Sequence, residues 1–184
     1  PVTVDELLRG MIVQSGNDAT IALAEAVAGT EEAFAQLMNR EAKRLGLRNS
    51  SFVNSTGLPA TGHYATARDM AHLAAALIRD FPAEYALYSQ KEYTWNGITQ
   101  ANRNRLLWLD PTVDGVKTGF TEAAGYCLVA SARRGERRRG QRGRRDVGQQ
   151  GRQVADLPLR IQQAGSFVAL GAVSEQLHGV LSVG

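Results

Sequence analysis

The sequence predicts an α+β domain, with a helical half followed by antiparallel strands. Three observations point there. Capped segments with apolar stripes fill roughly the first eighty residues. Asn96-Gly97 separates two short β-prone runs. Val116 to Phe120 and Tyr126 to Ala132 read as two strands joined by a turn. At 184 residues the chain can hold one ordinary domain with a sizeable core.

Thr3-Val4-Asp5-Glu6 is a capping box, in which the Thr3 hydroxyl accepts from Glu6 N–H and the Glu6 carboxylate reaches back. It opens a short helix with Leu7, Leu8, Met11 and Ile12 as its apolar stripe, stopping near Gln14 to Asp18. A second, alanine-rich helix covers about Ala19 to Ala28 and ends at Gly29. Thr30 caps a third, whose first turn carries Glu31 and Glu32 toward the positive end of the helix dipole. Its core face is Phe34, Leu37, Met38 and Leu45. Asn49 to Tyr64 reads as a long surface loop. Thr66 to Asp69 opens a fourth helix, with Asp69 in the capping-box place of Glu, and Pro82 closes it. Gly115, Gly119 and Gly125 mark where the strand pair bends or comes close to a neighbour.

Charge divides the chain. Residues 1–132 carry 11 Lys+Arg against 14 Asp+Glu, whereas residues 133–184 carry 10 Arg, no Lys and 4 Asp+Glu. The basic balance therefore belongs to the tail and says nothing of what the front part binds. Arg133 to Arg152 holds nine arginines among Gly and Gln, too few apolar groups to offset the entropy of ordering. A single cysteine, Cys127, excludes an internal disulfide and reads as a buried, inert thiol. His63, His72 and His178 lack metal-ligand spacing, so neither metal nor cofactor is expected. No run is long or apolar enough to span a bilayer as a helix.

Two short motifs could carry chemistry. Ser15-Gly16-Asn17 lies between two helices and can present a hydroxyl and an amide to a cleft, although such residues most often cap a helix. Lys117-Thr118-Gly119 puts a cation, a hydroxyl and an unobstructed backbone edge on a strand. That suits an anionic, peptide-like ligand, and the plainer alternative is a solvent-facing lysine on an edge strand.

Taken together, the motifs resemble the Ser-Asp-Asn and Lys-Thr-Gly elements of penicillin-binding proteins and class A β-lactamases, in the right order about a hundred residues apart. Asn54 to Pro59, Thr66 to Ala71, Asn102 to Leu107 and Val113 to Gly119 resemble the serine D-alanyl-D-alanine carboxypeptidases among them. The resemblance implies part of a β-lactamase/transpeptidase-like fold over residues 1–132, then an Arg/Gly/Gln-rich disordered linker over 133–155 and a non-homologous tail over 156–184.

In that family a serine attacks the D-Ala-D-Ala carbonyl to form an acyl-enzyme that water resolves. The resemblance implies that Ser15 relays a proton to the leaving amine and that Asn17 binds a substrate amide. Lys117 would keep the site electropositive, and Thr118 would bind the terminal carboxylate. Gly119 would let substrate lie along the strand edge, Phe120 N–H would donate to the oxyanion, and Arg103 would lie near the carboxylate. The implied partners are peptidoglycan stem peptides ending in D-Ala-D-Ala, with β-lactams as inhibitors, in the periplasm or extracytoplasmic envelope. No specific nucleic acid is implied, and membrane association of a longer protein is left open.

The resemblance also sets two expectations against activity. The family's Ser-x-x-Lys should lie upstream of Ser15, yet no serine here is followed by lysine three residues later. The chain is thus expected to be a fragment that binds without acylating. Beyond Ala132 a sheet strand is expected to be missing through a shifted reading frame or a natural basic tail, exposing an edge beside Tyr126 to Ala130. Alternatives are a non-catalytic D-Ala-peptide binder, a class A β-lactamase-like protein, and an acidic-surface or nucleic-acid binder acting through the tail.

Overall fold

A computed structural model describes residues 1–133 and, for the backbone, 152–154. The capping box at Thr3 forms with both of its bonds and starts α1 (Val4–Arg9). This helix runs straight into one π-helical turn, Gly10–Gln14, which buries Met11, Ile12 and Val13. The wider turn carries the apolar stripe further than the spacing of Leu7, Leu8, Met11 and Ile12 suggests. Helix α2 (Asn17–Ala28) begins two residues earlier than the sequence predicts and ends at Gly29, whose φ of 83° needs no Cβ. Helix α3 (Glu31–Arg44) is capped by the Thr30 hydroxyl.

Helix α4 (Ala67–Asp80) buries Met70, Leu73, Ala74 and Leu77, one face at helical spacing. Its N-cap departs from the capping box. The Thr66 hydroxyl accepts from Asp69 N–H, but the Asp69 carboxylate turns outward to the preceding loop. There it accepts from Asn49 N–H at 2.8 Å and from the Ser50 hydroxyl at 2.7 Å. With Asp69 only 4% exposed, Asp69→Ala removes the acceptor shared by the Asn49 N–H and the Ser50 hydroxyl and is expected to cost about 1–3 kcal/mol. Asp69→Asn, which keeps an accepting oxygen, should cost less. Urea-unfolding midpoints would rank the two.

Pro82 ends α4 by opening a new turn of helix, α5 (Pro82–Tyr85), followed by a 3-10 turn at Ala86–Ser89. These turns bury Tyr85 and Tyr88, whose rings stack 5.2 Å apart in the core. Strands β1 (Glu92–Trp95) and β2 (Ile98–Ala101) form the expected hairpin, with positive φ at Asn96 and Gly97. A short α6 (Leu106–Leu109) leads into β3 (Val113–Thr121), which pairs antiparallel with β4 (Gly125–Arg133). Both strands are longer than expected.

The second sheet has the order β3-β4-β5, with β5 (Arg152–Val154) paired to Ser131–Arg133. Three residues of the expected linker thus form a strand, and Arg133 closes β4. The remainder of the expected linker and the tail, 134–151 and 155–184, lie outside the described residues. The helices and the tyrosine pair share one core with Val116 and Val129 of the sheet. The α+β class holds. Strand β3 is left at the sheet edge, with no strand on its other side among the described residues.

Candidate active site

The π-helical turn and α2 meet at Ser15, whose φ of 58° and ψ of 39° place it in the left-handed region. Gly16, not Ser15, caps α2, and it makes no side-chain capping bond. The Ser15 side chain is therefore not used as a helix cap. It accepts a hydrogen bond from Lys117 Nζ, 102 residues later on β3.

Lys117 is 5% exposed, which removes the solvent-facing alternative. Its neighbour Val116 is 1% exposed in the core, so β3 is held on both sides of this residue pair. Nζ also donates to the Thr118 carbonyl at 3.0 Å. Burial, and secondarily the positive charge of Arg103, bring the ammonium down from 10.5 to about 8. Near neutrality it remains mainly charged, in a place where an anion would complete it.

A groove of about 1540 Å³ runs along the free edge of β3. It is lined by Ser15, Asn17, Arg103, Lys117, Thr118, Gly119 and Phe120, all seven residues singled out from the sequence. Asn17 reaches it from the first residue of α2 rather than from a loop. Arg103 donates from Nε to the Gln14 carbonyl at 3.0 Å, next to Ser15. The four β3 residues follow one another along the edge, opposite Val129, Leu128, Cys127 and Tyr126 of β4.

Several lining residues escaped sequence reasoning. Leu58, Trp108 and Leu109 place exposed apolar side chains on the groove, and Thr56 adds a buried hydroxyl. Phe120 and Tyr126 pair at the hairpin end with ring centroids 4.6 Å apart. Thr56 and Leu58 fall within the Asn54 to Pro59 segment picked out by its resemblance and Phe120 was expected at the site, whereas no local pattern marks Trp108, Leu109 or Tyr126. Cys127 is buried as expected, although it borders the groove. Among the described residues no cluster of His, Cys, Asp or Glu could hold a metal ion. None of their helices is long and apolar enough to cross a membrane.

Residues 1–140 match the family model for D-alanyl-D-alanine carboxypeptidase. The chain is 57% identical to the D-alanyl-D-alanine carboxypeptidase DacC of Escherichia coli K12 over 138 residues, covering 74% of this chain and 34% of that protein. It is 47% identical to DacF of Bacillus subtilis over 142 residues, covering 74% of this chain and 36% of that one. The chain thus spans about a third of the length of these relatives. Among solved structures, penicillin-binding protein 5 of Haemophilus influenzae superposes with a TM-score of 0.73 at 39% identity, over 95% of this chain and 47% of that one. Penicillin-binding protein D2 of Listeria monocytogenes, solved with ampicillin bound, gives 0.71 at 29% identity, over 95% and 67%.

Proposed function

The chain belongs to the D-alanyl-D-alanine carboxypeptidase family, and on that premise we propose that its groove receives peptides ending in D-Ala-D-Ala, as part of a serine D,D-carboxypeptidase of the bacterial envelope. The observation that carries the reading is the Ser15–Lys117 hydrogen bond at the free edge of β3. A peptide laid along that edge adds a strand. Gly119 leaves the edge clear, and Phe120 N–H can donate to a carbonyl oxygen on which charge develops. The Thr118 hydroxyl binds the terminal carboxylate, with the Lys117 and Arg103 charges close by. Ser15, hydrogen-bonded to a lysine brought down to about 8, is suited to pass a proton to the departing D-Ala amine. Asn17 orients a substrate amide. β-Lactams, whose carboxylate and strained amide resemble the peptide end, fill the same groove.

Acylation needs a nucleophile and a base besides these groups, and no Ser-x-x-Lys occurs in the sequence. The 184 residues are therefore proposed to bind without forming an acyl-enzyme.

Calorimetric titration with a D-Ala-D-Ala-terminated peptide tests this reading. Binding should be at least about tenfold tighter than for the L-Ala-L-Ala peptide, and should weaken as pH rises through about 8 and Lys117 loses its charge. Equal affinity for the two peptides would overturn the substrate assignment. A covalent mass increase with fluorescent penicillin would overturn the absence of acylation.

A further inference from the structure

The groove has two walls that come from distant parts of the chain: the Ser15 turn and the β3 edge. Three consecutive residues join them through separate bonds. Asn102 and Asn104 are 6% and 1% exposed, while Arg103 between them stands open to the groove. Each makes a different connection. Asn102 Nδ2 donates to the Gln90 carbonyl at 2.9 Å, and its Oδ1 accepts from Asn104 N–H at 2.8 Å. Gln90 Oε1 in turn accepts from Arg9 Nη1 at 2.6 Å, which ties this end to α1. Asn104 Nδ2 donates to the Gly115 carbonyl at 3.2 Å, two residues before Lys117, and its Oδ1 accepts from Leu106 N–H at 3.2 Å. Arg103 Nε donates to the Gln14 carbonyl, one residue before Ser15.

We infer that Asn102-Arg103-Asn104 is a clasp that sets the separation between the Ser15 turn and the Lys117 strand, with Asn104 and Arg103 as positioning residues. The amides do not reach the groove's hydroxyl and ammonium themselves. They fix β3 and the loop as one body, and Arg103 fixes that body to the carbonyl beside Ser15. A guanidinium has five N–H donors, so the bond through Nε leaves its two outer nitrogens available to a ligand. The clasp belongs to the groove itself, whichever ligand fills it.

The titration of Lys117 reports on the clasp, because its midpoint depends on how tightly the Ser15 turn covers the ammonium. In the whole chain the side-chain methylene next to Nζ, followed by nuclear magnetic resonance without ligand, should titrate at about 8. Asn104→Ser changes no charge and shortens the reach to Gly115. Arg103→Lys keeps the charge and gives up the fork. Both should raise the midpoint toward the ordinary lysine value, by at least about half a unit. A role confined to folding the loop lowers thermal stability and leaves the midpoint in place. An unchanged midpoint in folded Arg103→Lys overturns the clasp, and since Arg103 is exposed that variant remains informative if Asn104→Ser fails to fold. A rise in Arg103→Gln without one in Arg103→Lys reduces Arg103 to a charge effect and overturns it as well.

Discussion

Lys117→Met is expected to stabilise the protein at pH 7 by about 3 kcal/mol, while weakening the binding of a D-Ala-D-Ala peptide by about ten- to a hundredfold. The stability follows from proton linkage. The folded chain holds Lys117 at about 8 against 10.5 for an ordinary lysine, mainly through burial. Between those values the unfolded chain carries a proton that the folded chain has released, so folding becomes more favourable as pH rises. Below about 8 both states are protonated, and the full cost of the buried charge opposes folding. Methionine removes that cost at every pH. The advantage of the variant should therefore be largest below about 8 and shrink toward 10.5. Urea unfolding at several pH values measures it, and an advantage that stays constant with pH would show that packing, not charge, is responsible. The binding loss follows because the same cation is the strongest attraction for a carboxylate on this strand.

Gly115→Ala is expected to cost about 2–3 kcal/mol, a fall in melting temperature of about 5–10 °C for a chain of this size. A Cβ at this position overlaps the Tyr85 hydroxyl and lies 2.9 Å from Cζ. Tyr85 has little room to retreat. Its ring is 2% exposed and stacked on Tyr88, and its hydroxyl is hydrogen-bonded to Ser131 Oγ. Ser131 also donates to Asp114 Oδ1 at 2.6 Å, and Arg133 Nε donates to Asp114 Oδ2 at 3.0 Å. One added methyl group therefore pushes on a polar chain that links α5 to both strands. Combining Gly115→Ala with Tyr85→Phe removes the first overlap and should recover part of the loss in a thermal melt. No recovery would place the strain in the backbone instead.

The legible parts of this chain were those written in short-range chemistry. The caps at Thr3 and Thr30, the glycine at 29 and the Asn96-Gly97 turn each act within a few residues, and each forms as read. Five of the seven residues expected at the site were picked out through two tripeptides and their order along the chain, and the fold gathers them on one groove. What could not be read was any partner far away in sequence. Asp69 has the position of a capping residue, but its carboxylate serves a loop about twenty residues earlier. Pro82 looks like a stop and is also a sound first residue for a new helix, which is how Tyr85 and Tyr88 enter the core. Asn102 and Asn104 resemble ordinary loop asparagines until Gln90 and Gly115 are placed beside them.

The left-handed backbone at Ser15 sets a limit on what could replace it. Threonine offers the same oxygen and nearly the same acidity, yet its extra methyl on Cβ is poorly tolerated at positive φ. Alanine or glycine would fit the turn and leave the lysine opposite without its oxygen. Substitution at this point is confined by backbone shape from one side and by the hydrogen bond from Lys117 on the other, and serine satisfies both.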